Sequence, residues 1–330
     1  MASSSGATPV PHQGPLPPGV ADLKLNYLVL LVHCGSLVCG YELVNLLEGE
    51  LPSLVMAASR ALLGALAIFL FCLLARQPIA PALRRSVPLA LIGVLGVGTL
   101  WAMVSLGERS VDPELAMLLV SVVPIATLII TALPPDPERI GWPAWVGTAI
   151  ATFGLVVVIG PARLVDQPSG VAAVMMIVFG FASFALSAVL AERWTQGLSP
   201  AAVGGVTMLF AALALWVMAF LLELPTEVRP SKGAWLQLLA LGVVGSAVPG
   251  MLVFVLVQRA GAGFLSLYGY LLPLLGVFVG WLAFGRAPHS TFLVGMPITF
   301  AGVAIVQWTR RRGSAERSSK GSSSSESPAS

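Results

Sequence analysis

Charge is what this sequence has least of: Asp, Glu, Lys and Arg make up only 10% of its 330 residues, and there are three histidines and three cysteines. A soluble domain carries roughly a quarter charged residues, so a water-facing globular surface is excluded. The three cysteines, Cys34, Cys39 and Cys72, all lie inside apolar runs. That placement excludes a secreted-type disulfide framework, and none of them stands at metal-ligand spacing from a histidine. They read as small apolar packing residues. The chain has no Walker loop, no HExxH and no GxSxG, and its Gly93–Gly98 run follows no strand. No nucleotide loop, metal or other cofactor is therefore expected. The basic pI of about 9.0 comes from the flanks of apolar segments and does not argue for nucleic acid. The first residues are rich in Ser, Pro and Gly without a basic segment and apolar core, so residues 1–25 are expected as a disordered tail, not a signal peptide.

What the sequence has in quantity is apolar length: 57% of residues are hydrophobic and the mean hydropathy is +0.90. Ten apolar segments cover approximately residues 26–46, 51–74, 87–107, 114–133, 141–160, 169–191, 200–222, 234–257, 262–284 and 289–309. Each comes near the roughly 20 residues that a bilayer-crossing helix needs. Leu51-Pro52, Asp112-Pro113 and Ser199-Pro200 supply helix-end signals between them. The fold expected is an all-α integral membrane protein of ten transmembrane helices. Residues 310–330 are expected as a basic, then Ser-rich, disordered tail. Lys and Arg fall twelve on one side and five on the other, with Arg60 inside a span. The positive-inside rule then places both termini in the cytoplasm.

The chain repeats itself. Gly93 matches Gly242, Pro124 matches Pro273, Gly147 matches Gly295, and Thr152-Phe153 matches Thr299-Phe300, at offsets of 148 or 149. Pro52 matches Pro200 in the same way. The halves are residues 26–162 and 163–309. Five spans per half is an odd number, so the halves must sit in opposite orientations. Secondary transporters are commonly built as such inverted repeats, with substrate bound between the halves near mid-membrane.

With these features the chain resembles the ten-helix EamA branch of the drug/metabolite transporter superfamily. The resemblance rests on Gly35-Ser36, Pro52 through Arg60, the Gly93–Gly98 run, Pro124, Pro273 and the ending Gly295 to Ala301-Gly302. Cys34 stands where the family usually carries tryptophan, and Phe284-Gly285-Arg286 lacks the usual acidic residue. The resemblance implies a central cavity walled by the first four helices of each half, with the fifth and tenth peripheral. It implies a non-enzymatic transporter for a small organic molecule, amino-acid-like, drug-like or other, with efflux across the plasma membrane as the expected direction. Protons are the candidate coupling ion, and the oligomeric state stays open.

Ionisable groups inside spans are expensive, so each needs an explanation. His33, Glu42 and Arg60 are such groups, and their partners in the second half are Phe181, Leu190 and Met208. Polarity is thus concentrated in the first half. Helix directions aim Glu42 and Arg60 at each other, and an ion pair between the first two helices is expected. Trp101, Tyr268 and Tyr270 are candidates to stack on a planar substrate or to form an interfacial belt. His33, with Glu42 or Arg60 assisting, also leaves open an intramembrane enzyme, and a non-transporting structural membrane protein is a third reading. Glu108, Arg109, Asp112 and Glu114 read as a solvated loop. Along the ninth span, small residues including Gly269, Pro273, Gly276 and Gly280 share one face, a seam on which helices can pack or slide. Pro124 and Pro273 are the candidate kinks.

Overall fold

In hydrocarbon every backbone N–H and C=O must find its partner within the segment, so long apolar runs fold as helices. The computed structural model describes residues 20–111, 113–133, 141–159, 170–223, 230–285 and 290–324, and among these there is helix and no strand. In chain order the helices are α1 (Val20–Leu47), α2 (Ser53–Leu74), α3 (Ser86–Gly107) and α4 (Leu115–Thr131). Next come α5 (Trp142–Ile159), α6 (Val171–Trp194), α7 (Pro200–Leu222) and α8 (Lys232–Ala260). The chain ends with α9 (Ala262–Leu282) and α10 (Ser290–Ser324). Eight of these are long and apolar enough to span a bilayer, and α4 and α5 are shorter apolar helices.

The packing obeys the repeat. The helix α2 runs along α7, and α5 along α10; α1 packs on α8 and α9 as α6 packs on α3 and α4. Exchanging α1–α5 with α6–α10 maps the α2–α7 and α5–α10 pairs onto themselves and the α1 contacts onto the α6 contacts. Both α3 and α8 contain a five-residue π-helical stretch, Val94–Gly98 and Val243–Ala247, at an offset of 149. Such stretches inside α-helices are rare and frequently mark functional sites.

Glycines let the halves interlock. A side chain at Gly93 would run into the Thr207 backbone of α7, and one at Gly242 would lie 2.5 Å from the Leu63 Cβ of α2. Gly147 and Gly154 of α5 meet Gly295 and Gly302 of α10. A Cβ on Gly147 would sit 2.8 Å from the Gly302 carbonyl, and one on Gly295 would sit 2.6 Å from that of Gly154. Small residues one and two turns apart bring lipid-embedded backbones into contact in this way.

The expected seam on α9 is placed differently. No atom lies within 4 Å of a Cβ at Gly280, and a Cβ at Gly276 would meet only the end of the flexible Met117 side chain, its Cε at 3.4 Å. The close approach is at Gly269, where a Cβ would lie 2.8 Å from both Pro124 Cδ and the Val120 carbonyl of α4. The helix also stays continuous through Pro273, and its interruption is at Ser266–Leu267. In α4 the interruption falls at Val120–Ser121, just before Pro124.

Hydrogen-bonded carboxylates fix two helix starts. Glu223, ending α7, accepts from the backbone of Leu54 (2.8 Å) and Val55 (3.0 Å) at the start of α2 and pairs with Arg109. Its side chain is only 5% exposed. Arg109 is exposed, as a solvated loop would have it, and is also a brace between the halves, because the exposed N–H groups of α2 and a cation converge on one acid; Asp112 and the Glu114 side chain lie outside what is described. At the other end Glu192 accepts from Ala262 N at 2.7 Å and starts α9.

The backbone of α10 stays helical to Ser324, past residue 310 where a disordered tail is expected. Extending an existing helix costs far less than nucleating one, and the next proline after Pro297 is Pro328. Residues 1–19 and 325–330 lie outside the described residues.

Candidate functional site

Pro249 in α8 has no N–H, so the Gly245 carbonyl, four residues earlier, lacks its ordinary helical donor. It lies in the π-helical stretch, facing α1 and α2. Arg60 of α2 takes it: Nη2 donates to Gly245 O at 2.7 Å and Nε to Ser246 Oγ at 3.0 Å. The guanidinium carbon stands 4.0 Å over the ring of Trp101 in α3. A cation over an aromatic face contributes about 2 kcal/mol when desolvated. Gly40 of α1 closes the same corner, since a Cβ there would be 3.0 Å from the Gly245 Cα and 3.5 Å from Arg60 Nη2. Arg60 thus ties three helices of the first half to α8 of the second. Arg60 and Trp101 remain half-buried, whereas Gly245 and Ser246 are buried.

The repeat partner of this corner is apolar. Met208 stands for Arg60 and Gly250 for Trp101, and both line a small void with Gly96, Val97, Phe184 and Ser187. There the π-helical carbonyl of Leu95 accepts from the Ser183 hydroxyl at 2.6 Å instead of from an arginine. One half has a cation and the other a plug of apolar side chains.

Tyr41 of α1 lies within electrostatic reach of both Arg60 and Glu108. Glu108 caps α3 two turns beyond Trp101, roughly 10 Å along the same face. It keeps contact with solvent. Protein atoms nonetheless crowd its carboxyl, and this burial pushes it from 4.5 up to about 7; Arg60 opposes the shift and Glu48 adds to it. An acid raised on folding contributes stability that is complete below its unfolded value and lost as pH rises through the folded one. Wild-type protein should therefore lose melting temperature relative to Glu108→Gln between about pH 4.5 and about 7, and the difference should be flat above that. Parallel melting curves for the two across this range would show that Glu108 is not held in this way.

Below Arg60, toward the end that carries the termini, His33, Tyr268 and Phe184 form a plug. His33 and Tyr268 meet edge to face at 5.7 Å, and Tyr268 and Phe184 at 5.6 Å. His33 is 2% exposed, and neither ring nitrogen has a hydrogen-bond partner of good geometry, although the Pro249 carbonyl faces it. Tyr27 and Phe264 extend the plug at 5.1 Å.

The expected residues therefore divide. Arg60 and Trp101 are in contact, and His33 and Tyr268 are in contact one layer away. Tyr270 is elsewhere: its hydroxyl lies 3.4 Å from the Thr148 carbonyl and 3.5 Å from Thr152 Oγ1 on peripheral α5. Glu42 is half-buried on α1, and among the described residues no ion pair joins it to Arg60, whose donors reach the nearer Gly245 and Ser246. Tyr41, Phe184, Gly245 and Ser246 complete the site without having stood out in the sequence, and Glu108, expected in a solvated loop, joins them; Pro249, four residues after Gly245 within an apolar span, was the available signal. Among the described residues no cluster of His, Cys, Asp and Glu could hold a metal ion.

Known proteins resemble this chain in fold and in sequence. A solved crystal structure superposes with a TM-score of 0.69 over 88% of this chain and 99% of its own, at 18% identity, a likeness of fold alone. An uncharacterized transporter, YdfC of Bacillus subtilis (strain 168), is 27% identical over 268 residues, 78% of this chain and 83% of its own. A probable terminal-alkyne amino-acid exporter of Streptantibioticus cattleyicolor is 28% identical over 235 residues, 68% of this chain and 74% of its own. Protein PecM of Dickeya dadantii (strain 3937) is 25% identical over 262 residues, 71% of this chain and 84% of its own. The pattern of the EamA-like transporter family matches twice, over residues 28–160 and 171–308, one match to each half. This chain belongs to the EamA-like transporter family.

Proposed function

We propose that the protein is a secondary transporter that moves a small organic metabolite across the plasma membrane by alternating access, in the direction of export. Both termini face the cytoplasm in this reading. The observation that carries it is an inequality between repeat partners. Gly261 through Tyr270, leading into and forming the half of α9 nearest the termini, is buried at every position, whereas at the matching part of α4 Leu115, Met117, Leu118 and Leu119 are only half-buried between the buried Ala116, Val120 and Ser121. The bundle is thus tight at the termini end and looser at the other, with Arg60 and Trp101 between. Two halves of one design in unequal states supply both access conformations, because exchanging their states moves the opening to the opposite side. Protons are the proposed coupling ion, with Glu108 as the group in reach of Arg60 that titrates near neutrality.

Purified protein in proteoliposomes should exchange a radiolabelled small metabolite saturably, and unlabelled metabolite on the far side should accelerate that exchange. Flux that rises linearly without saturation, or chemical conversion of the metabolite, would overturn the proposal.

A further inference from the structure

We infer that the molecule bound between the halves is an organic anion whose charged group docks on Arg60; this rests on the transporter reading given above. Arg60 lies in α2 seven residues after its start, about 10 Å along the helix. A cation at such depth is costly and needs compensating charge. Its hydrogen-bond partners supply none: Gly245 O and Ser246 Oγ are neutral, and among the described residues Glu108 acts on it only at longer range, with no carboxylate in ion-pair contact. Arginine offers five N–H donors in a planar fork. Among the described residues only Nε and Nη2 find acceptors, which leaves the donors of the Nη1 edge for a ligand. That edge is where a carboxylate or phosphate oxygen makes a charge-assisted hydrogen bond.

The surroundings favour the same class. Ser246 and Gly245 hold the guanidinium from one side and Trp101 from beneath, so its orientation is set before any ligand arrives. Pre-orientation lowers the entropic cost of binding. Trp101 is half-buried, leaving aromatic surface beside the charge for an apolar ligand body. Glu108, two turns away, is crowded toward its neutral form and repels an anion only once ionised. In the repeat partner of this corner Met208 replaces the cation, so the charged group has one docking point and not two.

The test uses full-length protein in phosphatidylcholine nanodiscs, where no lipid carries a net negative headgroup to compete. Three acid and amide pairs serve as probes: acetate and acetamide, benzoate and benzamide, indole-3-acetate and indole-3-acetamide. At least one acid should raise the melting temperature saturably while its amide does not. Arg60→Gln should weaken that acid by about tenfold or more, and Arg60→Lys should keep the preference for acid over amide. In unmutated protein the same acid should protect Arg60 from phenylglyoxal, read by mass spectrometry; this holds even where Arg60→Gln does not fold. Amides that bind as well as acids, or Arg60 left unprotected, would overturn the inference. Acid binding without flux in vesicles would retain the anion site and remove the transporter reading, and saturable flux of neutral compounds alone would do the reverse.

Discussion

One added methyl group at Gly93 should destabilise the protein by about 2–3 kcal/mol or prevent its accumulation in the membrane, which overpacking of a tight contact commonly does. The effect runs against local preference, since alanine favours an interior helical position by about 1 kcal/mol over glycine. The obstacle is the Thr207 backbone of α7: a Cβ at Gly93 would overlap its carbonyl oxygen and lie 2.9 Å from the carbonyl carbon and 3.0 Å from Cα. A side chain can swing away from such a clash, but a helix backbone can only move as a body. Moving α7 from α3 would in turn disturb its long contact with α2. Gly35→Ala is the matched comparison, because no atom lies within 4 Å of a Cβ there. It should be neutral or stabilise by up to about 1 kcal/mol. Thermal unfolding of the two variants in detergent reads the difference directly. Equal melting temperatures would mean that α3 and α7 do not touch through Gly93.

The fold was legible because glycine and proline record where backbones touch or lose a hydrogen bond. Gly93 and Gly242, and Gly147 and Gly295, recur in both halves, and each sits at a close helix contact. The ninth span shows the limit of that signal. Its small residues share a face, but spacing cannot say which face meets a neighbour. Of Gly269, Gly276 and Gly280 only Gly269 makes a tight contact, and the deeper interlock lies between α5 and α10, where Gly147 and Gly154 meet Gly295 and Gly302.

The site was legible in part for a similar reason. Arg60 stood out as a charge within a span, and Trp101 as an aromatic at mid-span depth. The acceptor that holds Arg60 did not stand out, because it is a backbone carbonyl in a π-helical turn. Reading it from sequence requires joining Pro249 to the acceptor four residues earlier, then to a helix of the other half. The Glu42–Arg60 pair fails on the same point: helix direction brought the two side chains toward each other, but nearer acceptors on α8 hold the guanidinium. Tyr270 lies apart from Arg60 and Trp101 because its hydroxyl reaches α5 while its neighbour Tyr268 faces the plug.

The largest functional effect is expected from holding the plug shut. Tyr27 of α1 and Phe264 of α9 are in edge contact at 5.1 Å, and their repeat partners are Met175 of α6 and Leu115 of α4. Met175 is 59% exposed and Leu115 half-exposed, so the matching contact at the opposite end is loose. If the halves exchange states, Tyr27 and Phe264 must separate in every cycle. A cross-link between them leaves one access state, and exchange across the membrane requires both. The direct measurement is tracer exchange in proteoliposomes by Tyr27→Cys/Phe264→Cys protein, with Cys34, Cys39 and Cys72 replaced, before and after a short cleavable bis-methanethiosulfonate cross-linker. Complete cross-linking should stop exchange, and reductive cleavage should restore it. Undiminished exchange through fully cross-linked protein would contradict alternating access between the two halves.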